Sequence, residues 1–188
     1  MPPAAVVVEP PDPAFVLFRP SGSGGPAVLR GPRTTARYHP RGPGPVCDGL
    51  RLEPGRAAGL LDRPLRDLVD REVLLGDPPA FREHRYADLV RRAATLLADG
   101  EPVYGVARRL HVSERHLRTV FTAATGLTPT AFVRVDRVRT VLARPGPGSA
   151  RYYDQSHLIA EFRRVMGVPP GAYARGHLPP PAPCVLPR

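Results

Sequence analysis

An internal repeat in the C-terminal half constrains this chain more than any other feature of its sequence. The same pattern recurs 41 positions further along, beginning at Ser113 and again at Asp154. Each copy consists of a helix-capping residue, an amphipathic helix, a glycine stop and a further helix begun by proline. The nine coincident pairs are Ser113/Asp154, His116/His157, Leu117/Leu158, Phe121/Phe162, Gly126/Gly167, Pro129/Pro170, Ala131/Ala172, Phe132/Tyr173 and Arg134/Arg175. Nine coincidences in one register are not chance, so we expect two copies of one helical unit.

Two further helical patterns precede the first copy. Apolar residues recur at helical spacing over residues 86–97, and a second, short helix is expected over residues 103–110. A three-residue turn then leads from that helix to Glu114–Thr125, with Ser113 as the capping residue and Gly126 as the stop. A helix, a short turn and a capped helix predict a helix-turn-helix, although an ordinary helical hairpin has the same local pattern.

The second copy departs from the first. Residues 130–143 are expected to form one helix that joins the two copies. In the first copy, residues 103–110 supply the helix that braces the capped helix, and the matching slot in the second copy is Arg144–Arg151. Two prolines and two glycines in that slot are incompatible with a stable helix. We therefore expect the second helix-turn-helix to be incomplete.

The charge of the chain points to a polyanionic partner. Its 188 residues include 27 basic side chains, all of them arginine, and 17 acidic ones, which gives a formal net charge of +10. Residues 1–80 have ten arginines and nine acids, whereas residues 81–175 have sixteen arginines and eight acids, a net charge of +8. A strong positive charge in one region is typical of proteins that bind nucleic acid. The second half is therefore the expected binding half.

Several classes of protein are disfavoured. The chain is too short for a large barrel or doubly wound enzyme, and it contains no phosphate-binding glycine loop, serine-hydrolase motif or zinc-protease motif. Cys47 and Cys184 cannot build a disulfide framework, and His116 and His157 lie on separate helices, where packing or phosphate contact is favoured over metal binding. Neither a secretion signal nor a membrane-spanning apolar run is found. We expect a non-enzymatic, cytoplasmic and nucleoid-associated protein without cofactor, metal or membrane contact.

Residues 1–80 are predicted to be a small β-rich region. Runs of β-forming residues alternate there with proline and glycine clusters, and the runs are Val6–Val8, Phe15–Phe18, Ala27–Leu29 and Val46–Leu52. Short helical patterns follow at Gly55–Leu61 and Pro64–Asp70. The predicted fold class is mainly α in the C-terminal half with a small β-rich N-terminal region, α+β overall. Residues 176–188, with five prolines, are expected to be a disordered tail.

Over about residues 86–175 the chain resembles the DNA-binding domain of the AraC/XylS family of bacterial transcription regulators. The residues that carry the resemblance are Val106-Ala107, Val112 to Leu117, Phe121, Gly126 to Pro129, Arg137, Tyr152 to Leu158, Phe162 to Arg164 and Gly167 to Tyr173. The resemblance implies seven helices in two helix-turn-helix units, each with a recognition helix for the major groove. Residues 31–34, 49–55 and 65–75 look like the end of an N-terminal regulatory β-domain, which implies that this domain is truncated here.

The first recognition helix is predicted to have a buried and an outward face. Leu117, Val120, Phe121 and Ala124 form the buried stripe. An outward arginine can bond to guanine or to phosphate, and an outward threonine can contact a thymine methyl group or a phosphate. A solvated polar face is the ordinary alternative. The candidate DNA-binding residues of this unit are Ser113, Glu114, Arg115, Arg118, Thr119 and Thr122. The resemblance implies that Arg115, Arg118 and Thr119 face bases.

The second recognition helix has weaker candidates. Ser156, Ile159 and Ala160 occupy the positions that Arg115, Arg118 and Thr119 occupy in the first copy. A charged residue, Glu161, takes the place of an apolar one near the buried stripe, which indicates looser packing. The candidate DNA-binding residues of this unit are Gln155, Ser156, Arg163 and Arg164. We expect the two arginines to contact phosphates without selecting sequence.

These observations leave two functions. The first is a sequence-specific transcription regulator that binds duplex DNA at a promoter or operator, with RNA polymerase and a small-molecule effector as candidate further partners. The second is a degenerate family member that regulates through protein interactions without operator binding. The expected organisation is a regulatory remnant at residues 1–80, a DNA-binding domain at residues 81–175 and a tail at residues 176–188. A fragment spanning residues 81–175 is expected to bind duplex DNA by itself.

Overall fold

The computed structural model describes residues 6–20, 26–41, 47–61, 63–75, 81–143 and 155–182. Strands dominate up to residue 75, and helices dominate from residue 87 onwards. The predicted fold class, α+β with a β-rich N-terminal region and a helical C-terminal half, is confirmed.

Two small antiparallel sheets make up most of the N-terminal region. Their strands are β1 (Val6–Glu9), β2 (Val16–Pro20), β3 (Ala27–Arg30), β4 (Arg37–Pro40), β5 (Cys47–Arg51) and β6 (Glu72–Leu75). Four strands form a sheet in the order β5-β2-β3-β6, and β1 pairs with β4 in the other sheet. Leu17 lies opposite Leu29 at the centre of the larger sheet. The sequence predicted β1, β2, β3 and β5, whereas β4 and β6 were not predicted.

Two single 3-10 turns, Arg56–Gly59 and Leu65–Leu68, lie where the sequence predicted short helices. Four residues suffice for one turn of 3-10 helix, but they are too few for a stable α-helix. Apolar side chains of both turns complete the core of the larger sheet. This core comprises Phe15, Ala27, Leu29, Leu52, Ala57, Leu60, Leu65, Leu68 and Leu75.

The helices of the C-terminal half begin and end close to their predicted positions. They are α1 (Ala87–Ala98), α2 (Val103–Arg109), α3 (Glu114–Thr125), α4 (Pro129–Ala143), α5 (Gln155–Met166) and α6 (Pro170–Ala174). Gly126 follows α3 with a φ of 75°, and Gly167 follows α5 with a φ of 74°. Such left-handed backbone favours glycine and ends a helix. The repeat is therefore visible in the backbone at both glycine stops.

The helices have two apolar clusters. One joins α1, α2 and α3 to the start of α4, and its buried residues are Val90, Ala93, Ala94, Leu97, Val106, Ala107, Leu117, Val120, Phe121, Ala124, Leu127 and Phe132. The other joins the end of α4 to α5, with Val138, Phe162, Val165 and Met166 buried. Within the described ranges, no helix is long and apolar enough to cross a membrane.

The N-terminal region packs against both helical clusters. Ala58 and Val69 lie against the cluster of α1, α2 and α3. Val8 and Ala36, from the smaller sheet and its edge, pack against the cluster of α5. The Ala36 amide also donates a hydrogen bond to the Val165 carbonyl oxygen over 2.8 Å. The predicted boundary at residue 80 thus separates two regions of sequence that share extensive contacts.

Two predictions concern segments near the C-terminus. The sequence predicted a disordered tail over residues 176–188. In the structure, the Ala182 amide donates a 2.8 Å hydrogen bond to the Tyr38 carbonyl oxygen, which joins this part of the tail to β4. Residues 176–182 contain no helix or strand, and residues 183–188 lie outside the described residues. The predicted gap Arg144–Arg151, together with the capping Asp154, also lies outside them.

Candidate nucleic-acid interface

The turn between α2 and α3 determines how α3 leaves the helical core. His111 adopts a left-handed φ of 56°, a conformation that histidine tolerates better than most residues. Ser113 then caps α3, because its Oγ accepts a 3.1 Å hydrogen bond from the His116 amide. Capping satisfies one of the free amides at the helix start, and we expect it to hold the first turn of α3 in place.

The two faces of α3 differ as the helical period requires. Leu117, Phe121 and Ala124 have no solvent exposure, and they anchor one side of the helix in the core. The opposite side carries Glu114, Arg115, Arg118 and Thr119, all exposed, and Thr122, which is half-buried. The helix thus presents two arginines and two threonines beside one another on a rigidly packed support.

Neighbouring side chains of α3 hold one another in the unbound protein. The Arg118 Nη2 atom lies 3.1 Å from the Glu114 Oε2 atom, with both side chains about half exposed. An exposed pair of this kind contributes little to stability, so Arg118 can exchange Glu114 for another anion at small cost. Thr119 donates its hydroxyl to the Arg115 carbonyl oxygen over 2.9 Å, which leaves its oxygen and methyl group on the surface.

The outward face of α5 carries less charge at its start. Ser156, Ile159 and Ala160 are exposed there, followed by Arg163 and Arg164, which are exposed as well. These five residues line a shallow depression together with Gly167. Gln155 is the first residue of α5. The small and apolar residues therefore precede two arginines on one face.

The charged residue on the inner side of α5 has a partner. Glu161 is half-buried, and its Oε1 atom lies 3.8 Å from the Arg134 Nε atom of α4. This ion pair joins α4 to α5. An acidic residue is accommodated because the arginine faces it across the contact between α4 and α5.

The two repeated histidines have different surroundings. His116 packs edge-on against the Tyr86 ring, with 5.6 Å between ring centroids, whereas His157 is exposed on α5. Across the described ranges, no group of three or more His, Cys, Asp or Glu side chains could hold a metal ion. The ring contact of His116 is packing, one of the two roles that the sequence favoured over metal binding.

Sequence reasoning missed a cleft beside α3. The cleft has a volume of about 700 Å³ and is lined on one side by α3 and on the other by residues 56–61 and 63–68, which we call the turn segment. Arg63 and Arg66 line it from the turn segment, and Arg118 and Thr122 line it from α3. No sequence signal identified Arg63 or Arg66, because residues 1–80 are nearly neutral overall and the cleft exists only through tertiary contact.

Comparison with known protein families gives a match that includes α3. The family model described as a helix-turn-helix domain matches residues 106–176. Residues 106–176 form an AraC-type helix-turn-helix domain. The helix-turn-helix domain thus begins within α2 and extends beyond α6, and it includes every candidate residue named from the sequence. No curated protein and no solved structure matches the chain.

The match indicates which kind of molecule this surface binds. A helix-turn-helix domain of this type is a DNA-binding regulatory domain and not a catalytic one. DNA is accordingly the partner indicated for the helix-turn-helix domain, which contains α3 and its exposed arginines. The turn segment lies outside the matched residues, yet it borders the same helix.

Proposed function

We propose that this protein is a sequence-specific transcription regulator of the AraC/XylS type. In this proposal α3 enters the major groove of a promoter or operator, where Arg115, Arg118 and Thr119 face base edges. The observation that carries the proposal is the pairing of a capped, core-anchored helix with an exposed row of arginine and threonine inside a helix-turn-helix domain. Arginine can bond bidentately to guanine in the major groove, and threonine can contact a thymine methyl group.

The rest of the domain then has a supporting role in binding. The second unit offers Arg163 and Arg164 as phosphate contacts, and Ser156, Ile159 and Ala160 offer no charged group to the bases. Phosphate contacts strengthen binding and orient the protein without selecting sequence. We infer a single specific major-groove segment, with the second unit adding affinity. A cytoplasmic, nucleoid-associated protein that contacts RNA polymerase is consistent with this function.

Selection from a randomised duplex pool by the full chain tests the proposal. We expect base preference confined to one major-groove segment, and affinity that falls as salt rises. Two equally informative half-sites one helical turn apart would refute the unequal roles of the two units. Absence of salt-sensitive binding to any duplex would refute the regulator itself.

A matched set of variants identifies the reading residues. The double change Arg115→Ala/Arg118→Ala should abolish selectivity, whereas Gln155→Ala should leave it nearly intact. Arg92→Ala serves as a control, because Arg92 is an exposed arginine of α1 outside the helix-turn-helix domain. Losses that follow only the number of arginines removed, about twice as large in the double variant as in Arg92→Ala and equal on every duplex, would show that charge alone governs binding.

A second function has one observation in its favour. Ile159 is 41% exposed on the outward face of α5, where a base-reading residue would lie. An exposed aliphatic side chain suits a protein partner better than a phosphate, so a degenerate regulator that acts through protein interactions is the alternative. Full-strength DNA binding by Ile159→Ser together with unaltered regulation would remove this support.

A further inference from the structure

The cleft beside α3 has a second wall that is built into the fold. Gly126 approaches the turn segment so closely that an added Cβ atom would lie 2.8 Å from the Leu65 carbonyl oxygen. On the other side, the Arg82 amide donates a 3.1 Å hydrogen bond to the Gly59 carbonyl oxygen. Leu65 itself is buried in the core of the larger sheet. These backbone contacts fix the turn segment against the end of α3 at Gly126 and against residue 82, which precedes α1.

The charges that line the cleft are positive on both walls. Arg63 and Arg66 belong to the turn segment, Arg118 belongs to α3, and His84 lies beside them. None of the described lining residues is acidic. Just outside the lining, Glu114 pairs with Arg118, and the Asp67 Oδ1 atom lies 3.9 Å from the Arg66 Nε atom. Both pairs are exposed, so Arg66 can exchange Asp67 for a phosphate, and Arg118 can leave Glu114 for a base edge, at small cost.

The apolar part of the lining narrows the choice of anion. Leu61, Pro64 and Ala123 lie in the cleft between its charged rims, and Thr122 adds a hydroxyl group. A sugar-phosphate backbone has this alternation, since its phosphates carry charge and its sugars are largely carbon. Arg118, Thr119 and Thr122 belong both to the cleft and to the outward face of α3. A duplex that takes α3 into its major groove places the phosphates of one strand along the flank of that helix.

We propose that the turn segment is part of the DNA interface, with Arg63 and Arg66 binding phosphates of the strand that flanks α3. This inference rests on the proposed function, and it assigns a binding role to residues outside the matched helix-turn-helix domain. Because both arginines contact phosphate, they add affinity on every sequence and leave base preference to α3.

Salt titration of the full chain tests the inference. We compare the wild type with Arg63→Ala/Arg66→Ala on the selected duplex and on an unrelated duplex. The slope of log K against log salt is negative, because binding weakens as salt rises. Loss of two phosphate contacts should make this slope less steep by about 1.8. The ratio of wild-type to variant affinity should then be about 12-fold larger at 50 mM than at 200 mM salt, equally on both duplexes.

Two further variants separate a phosphate contact from a structural effect. Arg63→Lys/Arg66→Lys keeps both charges, so it should retain most of the wild-type salt slope. Arg91→Ala/Arg92→Ala removes an exposed arginine pair of α1, in which Arg91 also contacts an aspartate, and it should leave binding nearly unchanged. Melting curves of all variants should agree, because Arg63 and Arg66 are exposed.

Three results would overturn the inference. Tighter binding by Arg63→Ala/Arg66→Ala would show that the turn segment hinders DNA instead of holding it. Unchanged affinity would show that its arginines do not reach the duplex, and a loss on the selected duplex alone would make them base-reading. Each of these leaves the proposed function standing if the wild type binds, whereas a wild type that binds no duplex refutes both proposals.

Discussion

Replacing Tyr38 by phenylalanine tests how the smaller sheet supports α5. Tyr38 lies on β4 and is buried, and its hydroxyl donates a 2.6 Å hydrogen bond to the Met166 carbonyl oxygen. Met166 is the last residue of α5, so its carbonyl is one of those that lack a partner within the helix. Proline at position 170 has no amide hydrogen to offer four residues later. The tyrosine therefore satisfies an acceptor that the helix cannot satisfy.

The expected loss of stability follows from that hydrogen bond. Tyr38→Phe keeps the ring and its packing but leaves a buried carbonyl without its donor, which costs about 1–3 kcal/mol. For a chain of this length, each kcal/mol lowers the melting temperature by about 2–4 °C. Calorimetry or urea unfolding should show this loss. Tyr104→Phe is the matched control, because Tyr104 is 61% exposed and should tolerate the change.

The pH dependence provides an independent check on the same hydroxyl. Burial, together with the nearby Tyr173, raises the pKa of Tyr38 to about 12 from a usual value of 10. Between pH 10 and 12 the folded protein retains a proton that the unfolded chain has lost, so this stabilisation is complete below pH 10 and is lost as the pH rises to 12. The stability gap between wild type and Tyr38→Phe should therefore narrow across that window. Equal stability at neutral pH, or a gap that stays constant up to pH 12, would refute the reasoning.

Four further changes have definite expected outcomes. Ser113→Ala removes the cap of α3 and should cost about 1 kcal/mol in urea unfolding, whereas Ser113→Asp should restore it. Gly126→Ala places a Cβ atom against the Leu65 carbonyl in left-handed backbone, so it should destabilise the fold by about 1 kcal/mol or more. Arg118→Ala should weaken binding to the preferred duplex by about 1–3 kcal/mol and relax preference at one or two base pairs; an equal loss on all sequences would make it a phosphate contact. Burial raises the pKa of Asp136, although Arg139 and Arg51 act to lower it, so the charged carboxylate destabilises the fold at pH 7. Asp136→Asn should therefore unfold at a higher urea concentration than the wild type at pH 7. The difference should vanish as the pH falls to 3.8, where the wild-type carboxyl is protonated in the fold.

The helices were predictable because their signals are local. Ser113 and Gly126 mark the ends of α3 through their own backbone preferences, and the helical period separates Leu117 from Arg118 without knowledge of the fold. The repeat then carried the same signals to α5. This is why the positions of the candidate residues on each helix could be read from the sequence, while their contacts with DNA stay a prediction.

The elements that the sequence did not predict depend on contacts between residues far apart in the chain. Strand β6 is only four residues long, and it forms by pairing with β3, where Leu29 lies opposite Val73. The sequence did not distinguish this segment from a loop, and its pairing with β3 makes it a strand. Arg63 and Arg66 are likewise ordinary surface arginines in sequence, and they gain a possible partner only because Gly126 lets the turn segment approach α3.

The hydrogen bond from Tyr38 to Met166 also has a consequence for the order in which the chain is made. Its two residues are 128 positions apart, and the strand is synthesised before the helix that it holds. At a synthesis rate of about 5–20 residues per second, the interval between them is roughly 6–26 s. Throughout that interval the apolar side chains of Val8 and Ala36 are without the α5 residues that they later cover. The nascent protein therefore passes through a stage in which its first strands present an uncovered apolar surface. That surface is covered only when α5 has been synthesised and packs against it.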